Sequence, residues 1–255
     1  MTHPKRRSFE LFDGVYRRSS EFPAQALKEI PPHLVDAIDK GNAEFFADVR
    51  ASLPNFYDAL VHRSGPLHLL ETISVSASVT DFGAEHRHYC WGLQCPAGLV
   101  TIGIPVIEVA EIAEQLHIPY LASLPTSLHC CYRKMDGMAI PETIGPDGYD
   151  LPSSFNDWGF LSDYCEDQGI PRDRTEGLRS AFPGDDLRVY IRGSRTDIIL
   201  VNFTKKDRRL YHVRDHDFDG YAGIDDVPAV LDDYFANAVL GFPQQVDLRR
   251  PTSAR

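Results

Sequence analysis

Residues 187–241 read LRVYIRGSRTDIILVNFTKKDRRLYHVRDHDFDGYAGIDDVPAVLDDYFANAVLG, and this stretch decides the fold. From Leu187 to Arg192 apolar and polar residues alternate, which is the period of a half-buried strand. The continuous apolar run at 198–201 is typical of a strand covered on both faces. A third short strand is predicted at 210–213. Because short polar turns connect the three strands, we expect them to be antiparallel neighbours in one sheet.

A closing helix is predicted after these strands. Asp225 or Asp226 can cap its first turn, and Pro228 suits a first-turn position. Gly241 is expected to end it, because glycine readily adopts the left-handed conformation. The apolar residues of this helix recur at helical spacing and form one stripe. They are Val227, Val230, Leu231, Tyr234, Phe235, Ala238 and Val239.

Two more helices are predicted upstream. The first, at 105–117, carries an apolar stripe, and the second, at 126–135, lies within LPTSLHCCYRKMDGM, residues 124–138. This order resembles the Smi1/Knr4 family of the SUKH superfamily, whose plan is a helix, then LP and a second helix ending in an Asn-Gly or Asp-Gly turn, then a sheet, an acidic loop and a closing helix. The resemblance covers residues 105–243.

The resemblance implies a binding protein rather than an enzyme. Bacterial members of the superfamily are widely inferred to be immunity proteins that bind and neutralise toxins, whereas fungal relatives regulate cell-wall synthesis and signalling. We therefore predict a non-catalytic immunity protein without a cofactor. Two alternatives stay open: a regulatory scaffold that binds a cellular protein, and a calcium- or zinc-dependent enzyme.

The predicted fold is α+β, with a mainly antiparallel sheet in residues 105–243 packed by helices at 105–117, 126–135 and 226–240. Residues 1–104 are expected to form an N-terminal extension of helices and strands, and residues 244–255 a flexible tail. No Gly/Ser linker marks the boundary near Gly103, so a core shared by the two parts stays open. Further expectations are loose order over 1–22, helices at 26–40, 43–50 and 54–62, strands at 69–79, 89–93 and 99–104, and a strand or short helix at 155–165.

The net charge of −11 is concentrated in the family-like segment. Residues 105–243 hold 13 Lys/Arg and 24 Asp/Glu, which gives −11, whereas residues 1–104 give 10 − 12 = −2. A nucleic-acid binder is expected to show a basic face instead. An acidic segment suits a basic protein partner, because its field speeds their encounter. The alternative is that the acidity only keeps the protein soluble.

The five cysteines are odd in number, and the start of the sequence has no apolar core of a secretory signal. We therefore expect reduced thiols and a cytoplasmic protein. No apolar run approaches the roughly 18 residues that a membrane span needs, so no span is predicted.

The loop that begins at Asp215 has the spacing of a calcium site. Asp215, Asp217 and Asp219 occupy its first three ligand positions, and Gly220 occupies the sixth. The twelfth position holds Asp226 in place of the usual bidentate Glu, and the eighth holds the small Ala222. These departures favour a partner-facing loop over a calcium site. The predicted partner-binding residues are Asp215, Asp217, Asp219, Asp225 and Asp226.

A zinc site is the second metal hypothesis. His86, His88, Cys90 and Cys95 are zinc ligand types, and the first three would share one face of a strand, but the spacing lacks the usual paired arrangement. Motifs for a nucleophile or a phosphate loop are missing from the sequence. The paired carboxylates Asp232 and Asp233 are expected to lie on the solvated surface.

Overall fold

The computed structural model describes residues 12–29, 32–75, 85–103, 138–139, 160–182, 187–192, 198–202 and 209–241. In these residues helices accompany two antiparallel sheets, so the predicted α+β fold is confirmed. The helices predicted at 105–117 and 126–135 and the tail at 244–255 lie outside the described residues.

Four of the five strands of the first sheet lie in residues 1–104, and the fifth lies at residues 138–139. Its strands lie in sequence order, and each pairs with the next in antiparallel fashion. The three predicted strands are confirmed within the described residues, where all three begin earlier than predicted and the second also ends later. The predicted ends at 76–79 and 104 lie outside the described residues. The expectation of loose order over 1–22 is wrong for residues 12–16, because this segment pairs with the next strand. The strands are β1 (Phe12–Tyr16), β2 (Leu67–Val75), β3 (Glu85–Cys95), β4 (Gly98–Gly103) and β5 (Met138–Ala139).

A 3-10 helix (Ser19–Glu21) and four short α-helices lie between the first two strands. The fourth has the bounds predicted for it, with proline in its first turn. The helix expected over 43–50 ends earlier, and turns replace its second half. The helices are α1 (Ala26–Glu29), α2 (Pro32–Lys40), α3 (Asn42–Phe45) and α4 (Pro54–His62).

The second sheet has the order β6-β7-β8-β9, again antiparallel. All five residues of β7 are buried, which confirms the prediction of a strand covered on both faces. The edge strand β9 was not predicted, because its three residues include a glycine and carry no alternating pattern. The strands are β6 (Leu187–Arg192), β7 (Ile198–Asn202), β8 (Leu210–Val213) and β9 (Ala222–Ile224).

Three α-helices accompany the second sheet: α5 (Leu161–Asp167), α6 (Glu176–Ala181) and the closing helix α7 (Val227–Leu240). A 3-10 helix (Arg172–Thr175) precedes α6. The start and end of α7 are as predicted. Asp226 caps it by accepting a hydrogen bond from the Ala229 amide at 3.2 Å, and Gly241 ends it with a φ of 72°. Of the range 155–165, where a strand or a short helix was expected, residues 161–165 are helical, and residues 155–159 lie outside the described residues.

The two faces of the second sheet lie in different hydrophobic cores. Ile199, Val201 and Leu210 belong to the main core, which also contains residues of α4, α7 and the first sheet. Ile198 and Leu200, on the opposite face, belong to a second core with residues of α5 and α6. Residues from both sides of the predicted boundary near Gly103 therefore meet in the main core, while the division into domains stays a prediction.

Candidate functional site

The structure divides the five predicted partner-binding aspartates into two groups. Asp215, Asp217 and Asp219 lie in the loop between β8 and β9, residues 214–221, which we call the acidic loop. Asp225 and Asp226 follow β9 and therefore lie at the opposite end of the β8–β9 pair, about 10 Å away at 3.3 Å per strand residue. All five residues are exposed.

The acidic loop begins with a tight turn. Asp215 and His216 have φ values of 50° and 56°, and the Asp217 amide donates to the Arg214 carbonyl at 2.8 Å. Two consecutive left-handed residues characterise the turns that join antiparallel strands, where glycine and asparagine are the usual choices. The Gly220 amide then donates to the Asp217 carboxylate at 3.0 Å, which closes a second turn within the loop.

Two contacts fix the acidic loop on α5 and α6, and a third lies within the loop. The Tyr164 hydroxyl lies 2.9 Å from Nε2 of His216 and forms a hydrogen bond with it. The imidazole is also stacked with the ring of Phe218, which is buried in the second core. The Asp219 carboxylate lies against Gly177 of α6, so closely that a Cβ at this glycine would clash with it. The loop is therefore held in one conformation by groups outside it.

Among the described residues of α5 and the acidic loop, acidic side chains outnumber basic ones. Asp163, Glu166 and Asp167 of α5 are exposed and lie on the helix that supplies Tyr164. The one cation within the loop, Arg214, lies 3.5 Å from Asp215, and both side chains are more than half exposed. An ion pair this exposed contributes little to stability. Six carboxylates and one guanidinium therefore occupy α5 and the acidic loop.

The calcium spacing does not bring its carboxylates together. Asp217 accepts from Gly220, Asp219 lies against Gly177, and Asp226, at the twelfth position, caps α7 beyond β9. Across the described ranges, no three His, Cys, Asp or Glu residues are arranged to hold a metal ion.

The four residues of the zinc hypothesis do not share one face of β3. Cys95 lies with Trp91 and Leu93 on the face that is buried in the main core, and the odd spacing places Cys90 on the opposite face. The idea of all four residues at one ion is therefore wrong. The side chains of His86 and His88 lie outside the described residues.

Cys95 has the character of a core residue. Its sulfur accepts a hydrogen bond from the Ser64 hydroxyl at 3.1 Å. Burial raises the pKa of its thiol to about 11, so the reactive thiolate is scarce near neutral pH.

The prediction that Asp232 lies on the solvated surface is wrong. Asp232 is 4% exposed, and its two carboxylate oxygens accept from the backbone amides of Asn55 at 3.0 Å and Phe56 at 2.7 Å. These amides begin α4, whose N-cap residue Leu53 has no side-chain acceptor. Asp233 is exposed as expected and accepts from the Asn55 side chain at 2.8 Å. We call the Asp232 contact the α4–α7 clamp.

The pKa of Asp232 in the clamp differs from that of an exposed aspartate. Burial, as the main cause, raises the pKa of Asp232, while the two backbone amides act in the opposite direction. The sequence offered one signal for the clamp, since a helix that begins after Leu53 lacks a cap of its own and its amides need an acceptor from elsewhere.

No protein-family model matches this chain, and comparisons with curated proteins and with solved structures find no match either. Of the described helices, none is both long enough and apolar enough to cross a bilayer.

Proposed function

We propose that this protein is a non-catalytic binding protein of the immunity type, which neutralises a basic toxin by binding it through the acidic loop. The observation that carries the proposal is the fixed presentation of three exposed carboxylates. Asp215, Asp217 and Asp219 lie in a loop that Tyr164 and Gly177 hold from outside. A preformed loop loses little conformational entropy on binding, so more of its interaction energy remains as affinity.

Electrostatics supports a basic partner. The surplus of carboxylates on α5 and the acidic loop lies within a segment whose net charge is −11. Such a field raises the rate of encounter with a cationic protein, and salt screens it over about 8 Å at physiological ionic strength. A nuclease-type toxin has a cationic substrate cleft, which a negative surface of this kind can cover.

Asp225 and Asp226 have a different place in the proposal. Asp226 already accepts a hydrogen bond from Ala229 as the cap of α7. Since both residues lie at the far end of β9, a partner centred on the acidic loop reaches them only if its footprint extends along the whole β8–β9 pair. The acidic loop is therefore the centre of the proposed interface, and these two residues belong to its edge.

The test begins with affinity capture from the native cell and identification of the bound protein. Association rates are then measured over a range of salt concentrations for the wild type and for a double variant, Asp217→Asn with Asp219→Asn. The matched control is Asp36→Asn with Asp58→Asn, which removes the same charge from exposed positions on α2 and α4.

We expect slower association for the loop variant, little change for the control, and an association rate that falls as salt rises. An acidic partner, or a rate insensitive to salt and to the loop variant, would refute the electrostatic proposal. Turnover of a substrate by the isolated protein would refute the proposal that this protein is non-catalytic.

A further inference from the structure

His216 combines a titratable imidazole with a hydrogen bond to a residue outside the acidic loop. Its Nε2 lies 2.9 Å from the Tyr164 hydroxyl, and its ring packs edge-to-face on Tyr164 with centroids 5.9 Å apart. On its other side the ring is stacked with Phe218 at an interplanar angle of 12°. Since Tyr164 and Phe218 are buried, the imidazole is held between two fixed aromatic rings.

This contact sets the backbone of the acidic loop. His216 has a φ of 56° and follows Asp215 at 50°, a conformation that costs a residue other than glycine about 1 kcal/mol or more. Asp215 and His216 keep this conformation because the His216 ring is anchored on Tyr164 of α5. The directions of the neighbouring carboxylates therefore depend on the His216 contact.

On the described elements that meet at His216, namely α5, α6 and the acidic loop, acidic residues outnumber basic ones. A neutral imidazole leaves the net charge of this surface unchanged, whereas an imidazolium cancels one negative charge and attracts the flanking carboxylates. Histidine is the side chain whose charge changes most readily in the physiological pH range. The charged groups on the elements that meet here are Asp163, Glu166 and Asp167 of α5, Glu176 and Arg179 of α6, and Arg214, Asp215, Asp217 and Asp219 of the loop.

We infer that His216 is a proton-sensitive positioning residue of the acidic loop: Tyr164 anchors its neutral ring, and proton uptake by the ring weakens the binding of a cationic partner. The inference rests on the proposed function, since it concerns the same loop. The protonated ring can still donate from Nε2 to the Tyr164 oxygen, so the loop need not unfold. Binding of the partner is weakened because the protonated ring reduces the net negative charge of the loop. The ring also pairs with carboxylates of the loop that would otherwise face the partner.

The experiment uses the full chain and a lysine peptide of about ten residues as the cationic probe. Its dissociation constant is measured at low salt near pH 5.5 and near pH 8. For the wild type we expect binding about two- to fivefold weaker at the lower pH, the effect of one charge on a cationic ligand at close range. His216→Gln should remove most of that difference, because glutamine retains polar atoms near Tyr164 but does not titrate.

A second variant keeps the test independent of how well glutamine is tolerated. Tyr164→Phe deletes only the hydroxyl, so it should weaken binding of the peptide near pH 8 by loosening the loop, while the pH dependence persists. Equal wild-type binding at both pH values, or an unchanged pH dependence in His216→Gln, would overturn the inference. If instead Asp217→Asn with Asp219→Asn binds the peptide as tightly as the wild type, the proposed binding loop itself is wrong.

Discussion

Replacing Asp232 by alanine tests the α4–α7 clamp most directly. The substitution removes both acceptors of the Asn55 and Phe56 amides and adds no bulk to the main core. Since Leu53 has no side-chain acceptor, neither amide finds a replacement within α4. The expected result is a large loss of stability without a change of fold.

The magnitude follows from the two amides. A buried donor that loses its acceptor costs about 1–3 kcal/mol, and loss of a helix cap costs about 0.5–2 kcal/mol. The Phe56 amide is buried and the Asn55 amide partly buried. The cost of leaving both amides without an acceptor therefore lies in the upper part of these ranges. Removing a carboxylate that burial disfavours in its ionised form offsets part of the loss. We expect Asp232→Ala to lower the free energy of unfolding by about 2–4 kcal/mol.

The assay is equilibrium unfolding in urea, with the free energy taken from the midpoint and the slope. Asp233→Ala is the matched control. The neighbouring carboxylate is exposed and accepts a hydrogen bond from the Asn55 side chain, so a change within about 0.5 kcal/mol is expected. Asp232→Asn keeps one acceptor oxygen and should fall between the two. A loss for Asp232→Ala no larger than that of Asp233→Ala would refute the clamp.

Four further predictions are more local. Because the pKa of Asp232 is raised in the folded protein, its contribution to stability is greatest at pH values below its pKa in the unfolded chain. That contribution declines as the pH rises through its pKa in the folded protein. The free energy of unfolding of Asp232→Asn, measured from acid to neutral pH, should lack this decline. Leu231→Ala should cost about 2–5 kcal/mol in urea unfolding, because the side chain is fully buried, and a loss below about 1 kcal/mol would contradict the packing of α7. The acidic loop should not bind calcium tightly, since the twelfth position lacks a bidentate Glu; calorimetry showing micromolar affinity that Asp217→Ala abolishes would disprove this. Cys95 should react with iodoacetamide far more slowly than Cys90 near pH 8, as read by mass spectrometry, because burial keeps its thiol protonated; equal rates would contradict its placement in the core.

The elements that sequence reasoning predicted well are those with local signals. The strands β6 to β8 follow from apolar periodicity, and α7 follows from its stripe, from the cap at Asp226 and from Gly241. These signals depend on residues within a few positions of one another, so they remain readable without knowledge of the tertiary fold.

The features that sequence reasoning missed depend on distant partners. The strands β1 and β9 are short, include glycine and gain their hydrogen bonds from a neighbouring strand. The acidic loop turns through two left-handed residues without glycine, because Tyr164 supplies the anchor from another helix. Asp232 looked like one of a surface pair because its partners precede it in the chain by more than 170 positions.

That separation has a consequence for the order of events during synthesis. Asn55 and Asp232 are 177 positions apart, so a ribosome adding about 5–20 residues per second needs about 9 to 35 seconds to pass from one to the other. Throughout this interval the first turn of α4 lacks the acceptor that its two amides use in the finished protein. The first turn of α4 therefore acquires these hydrogen bonds only after the last helix has been made, and a chain interrupted before residue 232 lacks the acceptor for both amides.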